Sequence, residues 1–316
     1  TAGARLTAAD LEPFFQDPRI VALGEMMNYP GVLNSDPEVL RKIDAARRYG
    51  RPVDGHAPGL SGKDLAAYVA AGISSDHECT AAAEALEKLA AGMHIMIREG
   101  TGARNLAALL PVVTERNARR LMWCTDDRHP HDLIEEGHID SIVAAAIRAG
   151  VDLVTAIRMA TLNPAEHFGI SHLCGGIAPN RFADILLLPH EKRMQPDMVL
   201  SEGRIVAEHG KVTVPLPRVP YPDAFLNTVR IQPLSPDQLR VPVAAAASPD
   251  SVRTLEIQPG GLVAREGRAR PRIVKGRLEA DPQNDLLKAV FIERLSGKGE
   301  LFAGFVKGWG QKEGAA

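Results

Sequence analysis

Two histidines in the first third of the chain, His56 and His77, occur in the same local setting. Each follows a short run typical of a β-strand, residues 52–55 for the first and 73–76 for the second, and each precedes a turn of small residues that opens a helix. When helices connect parallel strands, the carboxyl ends of those strands meet at one edge, where catalytic side chains collect. We therefore expect both imidazoles to face one pocket, an arrangement that suits a metal ion.

Three acidic residues, Glu25, Glu99 and Asp126, come at the ends of other predicted strands. Carboxylates combined with imidazoles suit a divalent ion such as manganese, iron or zinc. A metal in such a site lowers the pKa of bound water to about 7 and supplies hydroxide at neutral pH. One histidine at a strand end is more often a structural residue, but two at successive strand ends with carboxylates nearby favour a metal site.

Several polar residues near these strand ends have more than one interpretation. Glu78 could shuttle protons, but strand alternation would turn it away from His77, so a surface role fits equally well. Asp127 either caps the following helix or fixes His77 through a hydrogen bond. A proline separates His129 from His131, which favours a loop contact over a pair of metal ligands.

The predicted elements alternate between strand and helix, which is the pattern of a parallel sheet in the α/β class. Plain helices at 141–149 and 154–160 follow the last of these strands. Five strands are too few for a closed barrel of eight, so we expect at least three more strands to precede Thr1. The predicted strands are 20–24, 52–55, 73–76, 94–97 and 120–125, and the helices between them include 38–49 and 104–117.

Four segments of the chain differ in character. Residues 1–168 are predicted to be a partial (β/α) barrel, and residues 169–214 contain short strands separated by turns, typical of a small β-sandwich portion. Residues 215–242 are rich in proline and are predicted to form an extended linker. Residues 243–316 are predicted to be part of an α+β domain. Its predicted elements are strands at 252–257 and 272–274 and a helix at 285–294.

Composition argues against several classes of protein. The formal net charge of −2 gives no electrostatic case for nucleic-acid binding. The three cysteines form no Cys-x-x-Cys pair, which argues against a disulfide framework or a thiolate zinc site and favours a reducing compartment. No apolar run approaches the ~18 residues of a membrane span. We expect a cytoplasmic homo-oligomer that acts on a small molecule, with neither nucleic acid nor membrane as partner.

Longer motifs surround the same strand ends. They are Ala-Leu-Gly-Glu-Met-Met-Asn-Tyr-Pro-Gly-Val (22–32), Asp-Gly-His-Ala-Pro-Gly (54–59), Ser-Ser-Asp-His-Glu (74–78), Met-Ile-Arg-Glu-Gly-Thr (96–101), Cys-Thr-Asp-Asp-Arg-His-Pro (124–130) and Ala-Thr-Leu-Asn-Pro-Ala (160–165), with 284–287 and Gly-Phe-Val-Lys-Gly-Trp-Gly (304–310) nearer the C-terminus. Each motif is weak alone. Together they resemble the bacterial adenine deaminases of the amidohydrolase superfamily over essentially the whole chain.

The resemblance implies a fold, a reaction and roles for particular residues. The fold would be a (β/α)8 metal-dependent hydrolase barrel with a small β domain and a C-terminal α+β domain. The reaction would be hydrolysis of adenine to hypoxanthine and ammonia. Glu25 would bridge the ions of a binuclear centre of Mn, Fe or Zn, and His56 and His77 would bind the second ion. Asp126 would be a ligand and the general acid/base while metal-bound hydroxide attacks C6 of the purine.

Arg98 and Glu99 are the candidates for substrate binding. They lie at a strand end from which side chains could contact the purine edge. An Arg–Glu pair at this place is equally consistent with a structural ion pair, so both interpretations stay open.

The sequence departs from the family pattern at both ends. The family's His-x-His motif on the first strand has no counterpart before Glu25, and residues 311–316 come before the family's histidine-containing C-terminal segment. We therefore expect an internal fragment with an incomplete metal site, inactive or poorly folded by itself.

Two other functions stay open. An amide or cyclic-amide hydrolase of the same superfamily, similar to dihydroorotase or a deacetylase, would often bridge its metals with a carbamylated lysine. Glu25 stands at the matching strand end, which favours the deaminase. The other alternative is a catalytically dead barrel that acts in assembly. A site like that of cytidine deaminase is disfavoured, because its His-x-Glu and Pro-Cys-x-x-Cys signature is absent from the sequence.

Overall fold

The computed structural model describes residues 4–190, 194–245, 250–258 and 264–314. The chain divides into two compact units, one formed by Leu6–Leu216 and the other by Pro217–Ala316 with the first five residues. The finer division predicted at residues 168, 214 and 242 stays a prediction. Within the described ranges, no helix combines the length and hydropathy needed to cross a membrane.

In the described part of the first unit, five parallel strands form one sheet in the order β1-β2-β3-β4-β5. Strands that follow one another in sequence are neighbours in the sheet, so their carboxyl ends lie at the same edge. The predicted α/β class and parallel sheet are thus confirmed. The strands are β1 Leu23–Met26, β2 Val53–Gly55, β3 Ser75–Asp76, β4 His94–Arg98 and β5 Leu121–Cys124.

Helices lead from strand to strand, and capping explains where one of them begins. The Asp36 carboxylate accepts hydrogen bonds from the N–H groups of Glu38 and Val39, and Pro37 occupies the first turn. Gly50 follows this helix at φ 66°, where glycine is favoured. The helices are α1 Ala8–Leu11, α2 Tyr29–Leu33, α3 Pro37–Arg48, α4 Gly62–Ala70, α5 Ala82–Ala90, α6 Leu106–Leu109, α7 Pro130–Glu135, α8 Ile139–Arg148, α9 Leu153–Ala160 and α10 Leu162–His167.

The helix predicted over 104–117 is shorter than expected. The α6 helix ends at Leu109, and a 3-10 turn over Leu110–Val112 follows it. Pro111 lies in this turn, and because it lacks an N–H group it cannot continue the α-helical hydrogen bonds. A second 3-10 turn, Ala118–Arg120, leads directly into β5.

Two apolar clusters hold the parallel sheet against its helices. One packs α3 and α4 against β1 and β2 and includes Ile43, Val53 and Tyr68. The other packs α8 and α9 against β4 and β5, where the indole N–H of Trp123 donates to the carbonyl oxygen of Ala156 at 2.9 Å. Removing these apolar surfaces from water fixes the strands and hence the edge at which their carboxyl ends meet.

Antiparallel strands follow within the first unit. Among its described residues they form a meander in the order β6-β7-β8-β9. Its turns at Glu202-Gly203 and His209-Gly210 have positive φ at both residues, as type I′ hairpin turns require. The strands are β6 Ile185–Leu187, β7 Met198–Ser201, β8 Arg204–Glu208 and β9 Lys211–Val212.

The described residues of the second unit form two sheets, with strand orders β10-β14-β13 and β12-β11-β16-β15. The strands predicted at 252–257 and 272–274 are confirmed, but the helix predicted at 285–294 is wrong. The run Leu-Leu-Lys-Ala-Val-Phe-Ile forms β15 instead, because every residue of it pairs with the neighbouring strand β16. The strands are β10 Val241–Pro242, β11 Val252–Glu256, β12 Arg265–Ala269, β13 Arg272–Val274, β14 Arg277–Glu279, β15 Leu286–Ile292 and β16 Leu301–Lys307.

Candidate metal centre

The carboxyl ends of β1, β2 and β3 bring three of the predicted metal ligands together. Glu25 lies in β1, His56 follows β2 and His77 follows β3. Oε2 of Glu25 lies 2.8 Å from Nδ1 of His56 and 3.2 Å from Nε2 of His77. The two imidazoles meet edge to face, with ring centroids 5.5 Å apart. One oxygen and two nitrogen donors thus lie within 4.8 Å of one another and could hold a metal ion.

The environment of His77 fits a metal ligand. Its Nδ1 lies 3.1 Å from Oδ2 of Asp54, so a proton on Nδ1 would be donated to that carboxylate. The other ring nitrogen, Nε2, is buried and has no hydrogen-bond partner among the described residues, although it lies close to Glu25. An Nδ1–H···carboxylate bond leaves the Nε2 lone pair free to bind a metal, as in many zinc sites. The donor set and the unpartnered nitrogen therefore fit a divalent cation.

Neighbouring carboxylates set the charge of His77 when no cation is bound. Burial opposes its protonation, but the hydrogen bond and charge of Asp54, with the charges of Glu78 and Asp76, outweigh burial and raise the pKa of His77 to about 9. A metal ligand must give up its proton, so a cation binding here would displace one from this imidazole. The same negative charges attract the cation.

Glu78 points towards His56 and His77, so the expectation that its side chain turns away towards the surface is wrong. Its side chain is almost fully buried, and Oε1 lies 3.6 Å from Nδ1 of His56 and 3.5 Å from Nε2 of His77. Strand alternation does not apply here, because β3 ends at Asp76 and the chain has already turned. Arg98 donates to both oxygens of Glu78, with Nη2 at 3.0 Å from Oε2.

Arg98 joins Glu78 to Asp126, the fourth predicted ligand. The Arg98 residue is only 1% exposed, and its Nη1 donates to Oδ2 of Asp126 at 2.8 Å. Burial raises the pKa of Asp126, but the backbone N–H of Asp127 and the charge of Arg98 outweigh that effect and lower it. Asp126 is not one of the three converging donors; in this structure its carboxylate is held by Arg98. Contact between Arg98 and a purine stays a prediction.

The Glu99 carboxylate is directed at a helix. Its Oε2 accepts a hydrogen bond from the backbone N–H of Leu106, the first residue of α6, at 3.0 Å. Arg98 forms its ion pairs with Glu78 and Asp126, and not with Glu99 as considered from the sequence. A purine contact by Glu99 also stays a prediction.

Gly100 allows the loop after β4 to approach the loop after β5 closely. A Cβ atom at this position would lie 2.5 Å from the carbonyl oxygen of Thr125 and 2.9 Å from that of Asp127. Both distances are shorter than real contacts of a Cβ atom, so a larger residue would displace backbone on either side of Asp126.

Sequence reasoning missed Asp54 as a partner of His77 and considered Asp127 for that role. Asp54 precedes His56 by two residues at the end of β2, and residues two apart share one face of a strand. That spacing could have indicated that Asp54 faces the same pocket. His129 and His131 flank the first residue of α7, and the N–H of His129 donates to the Thr101 hydroxyl at 2.9 Å, a loop contact of the kind expected.

Comparison with known proteins places these residues in a family. The sequence profile of the amidohydrolase family matches residues 5–206. The adenine deaminase of Desulfatibacillum aliphaticivorans is 49% identical over 315 residues, and that of Kosmotoga olearia is 38% identical over 314. These alignments cover 100% and 99% of this chain but 54% of each relative, so the chain spans about half the length of the curated relatives it matches.

A solved structure of lower similarity is the N-acetyl-D-glucosamine-6-phosphate deacetylase of Mycobacterium smegmatis. It shares 15% identity with this chain, with a TM-score of 0.49 over 65% of this chain and 60% of that protein. The profile match over residues 5–206 includes Glu25, His56, His77 and Asp126. The chain belongs to the amidohydrolase family.

Proposed function

We propose that the protein is an adenine deaminase, which converts adenine and water into hypoxanthine and ammonia. The observation that carries this proposal is the convergence of Glu25, His56 and His77, in a sequence 49% identical to a protein named adenine deaminase. We also propose that the five parallel strands belong to an eight-stranded (β/α) barrel. The shared edge of their carboxyl ends is consistent with the catalytic end of such a barrel.

The proposed cofactor is a binuclear centre of manganese, iron or zinc. Glu25, His56 and His77 would hold it, with Glu25 shared between the two ions and Asp126 as a further ligand. A divalent cation at this site would lower the pKa of water to about 7 and so make a nucleophile available near neutral pH. All the donors are oxygen or nitrogen atoms, which suit each of the three metals.

Asp126 is the proposed general acid/base. Its carboxylate takes a proton from the water that attacks C6 of adenine and delivers a proton to the amino group, which leaves as ammonia. A proton acceptor must be ionised, and the lowered pKa of Asp126 favours that form, although it also makes the carboxylate a weaker base. Arg98 fixes its position through the 2.8 Å hydrogen bond.

The test is adenine turnover by the full-length protein supplied with Mn²⁺, Fe²⁺ or Zn²⁺, followed by the release of hypoxanthine and ammonia. We expect Asp126→Asn to lower kcat by about 10²-fold or more, since general acid–base catalysis contributes that much. Asp64→Asn, in the exposed first turn of α4, is the control and should leave turnover unchanged. An Asp126→Asn protein with unchanged kcat would refute the acid/base role.

The same preparation separates the deaminase from its alternatives. Hydrolysis of dihydroorotate or of an N-acetylated sugar in place of adenine would favour an amide hydrolase. Metal binding without turnover of any of these compounds would favour an assembly role. The predicted homo-oligomer can be checked by light scattering on the same sample.

A further inference from the structure

Lys88 in α5 is a charged residue without exposed surface. Its ammonium group donates to the carbonyl oxygen of Ala57 at 2.7 Å, to Oδ2 of Asp76 at 3.2 Å and to Oε1 of Glu84 at 2.7 Å. An ammonium ion is buried at low cost only when charged partners and hydrogen bonds replace the lost water, and here each of its three N–H groups has an acceptor. The acceptors belong to three different segments of the chain.

Asp76 and Glu84 extend these contacts to the two loops that carry the histidines. Both carboxylates accept hydrogen bonds from backbone N–H groups in the loop after β2 and in the loop after β3. Lys88 itself bonds only the first of these loops, at Ala57, and is linked to the second loop through the two carboxylates. The backbone hydrogen bonds connect Asp76 with Ala57 (3.1 Å) and Glu78 (2.7 Å), and Glu84 with Gly59 (2.8 Å) and Thr80 (3.1 Å).

We propose that Asp76, Glu84 and Lys88, here called the loop clamp, are positioning residues that hold His56 and His77 in the geometry a metal requires. The inference rests on the proposed function, because it assumes that these histidines bind a cation. Ala57 adjoins His56, and Asp76 and Glu78 adjoin His77, so the clamp fixes backbone one residue away from each ligand.

A rigid backbone at these positions matters because the two loops are irregular. Each follows a very short strand, three residues in β2 and two in β3, so the ladder hydrogen bonds of the sheet end before the histidines. Without the clamp, the loops would gain conformational freedom, and the bound cation would have to order both of them. Metal binding would then weaken even though no ligand is removed.

The experiment measures Co²⁺ binding to the full-length protein and to Lys88→Met, which keeps a long apolar side chain and removes the donors. Affinity is measured by competition with a chelator, ligand geometry by the visible absorption spectrum of Co²⁺, and loop order by hydrogen exchange of peptides covering 56–60 and 77–80. We expect Co²⁺ affinity to fall about tenfold or more, with an altered spectrum and faster exchange in both peptides. Lys63→Met, in the exposed first turn of α4, is the matched control and should behave like the parent.

A folded Lys88→Met protein with the Co²⁺ affinity and spectrum of the parent would overturn the proposal, even if its thermal stability is lower. Should this variant not fold, Glu84→Gln replaces it, because it keeps the side-chain shape and weakens bonds to both loops; the same criteria apply. Adenine turnover of the parent is followed in parallel. A parent that binds Co²⁺ without hydrolysing adenine refutes the deaminase, whereas weaker Co²⁺ binding by Lys88→Met still supports the clamp. A parent that binds no Co²⁺ overturns both.

Discussion

Asp54 contacts one ring nitrogen of His77 and leaves the other facing Glu25 in the candidate metal centre. Its carboxylate lies 3.1 Å from Nδ1, so once a cation displaces one proton from the imidazole, the remaining proton stays on Nδ1, and Nε2, which lies near Glu25 and His56, is the nitrogen that binds. Ser75 donates to the other oxygen of Asp54 at 2.7 Å, which holds the carboxylate in this orientation. We therefore expect Asp54 to act on a bound metal through His77 and not as a ligand.

We expect Asp54→Asn to weaken metal binding by about 10–100-fold, the range typical of residues that orient a ligand. The asparagine has nearly the same shape but lacks the charge that stabilises the Nδ1–H···carboxylate bond. The measurement is Zn²⁺ affinity of the full-length protein by competition with a chelator. Asp64→Asn removes an exposed carboxylate and serves as the control. Equal Zn²⁺ affinities for Asp54→Asn and the parent would contradict this prediction.

Arg98 illustrates how burial changes the energetic weight of an ion pair. We expect Arg98→Met to reduce the free energy of unfolding by about 3–5 kcal/mol, because it leaves the buried Glu78 carboxylate without its cation. Arg104 pairs with Glu136 at 2.9 Å, but both side chains are about half exposed. Arg104→Met should therefore cost at most about 1 kcal/mol. Urea denaturation of both variants tests the comparison, and equal losses would show that burial does not control the effect.

At the scale of elements, the helices α3 and α4 differ in whether a side chain caps their first backbone N–H groups. Asp36 accepts hydrogen bonds from the first N–H groups of α3, at 2.8 Å for Glu38. Ser61 precedes α4 in the same way, but within the described residues its hydroxyl makes no capping bond. The capping residue therefore stabilises α3, and the start of α4 depends on other contacts.

We expect Asp36→Ala to lower the free energy of unfolding by about 1 kcal/mol, through the loss of the cap and of a negative charge at the helix N-terminus. Ser61→Ala, the matched control, should change it by no more than a few tenths of a kcal/mol. Chemical denaturation of the two variants and the parent measures both values. Equal effects at the two positions would contradict the role given to the Asp36 carboxylate.

For the molecule as a whole, the three residues of the candidate metal centre all lie within the unit Leu6–Leu216. A cation that binds the folded state should raise the free energy of unfolding by about 2.7 kcal/mol at a concentration 100 times its Kd. Scanning calorimetry of the full-length protein should show a higher midpoint with Mn²⁺ and its reversal by a chelator. His77→Ala should abolish the metal-dependent increase, whereas His131→Ala, at an exposed position in α7, should retain it. An increase that survives His77→Ala would place the cation elsewhere.

The sequence by itself determined the class of the first unit and the residues that meet in it. Repeated strand–helix units predict a parallel sheet, and parallel strands put their carboxyl ends at one edge. That geometry is local and repetitive, so three of the four predicted ligands, Glu25, His56 and His77, could be placed together without knowledge of any contact between them. The order of strands and helices could not predict that the Asp126 carboxylate pairs with Arg98.

Only the tertiary structure decided how the ligands are supported and what the second unit contains. The pairs Asp54–His77 and Glu78–Arg98 join residues 23 and 20 positions apart, and their formation depends on side-chain directions in irregular loops. In the second unit, Leu286–Ile292 is a strand because Leu301–Lys307 lies beside it and satisfies its backbone hydrogen bonds. Hydrogen bonds between segments distant in sequence depend on the folded backbone, and local residue preferences do not specify them.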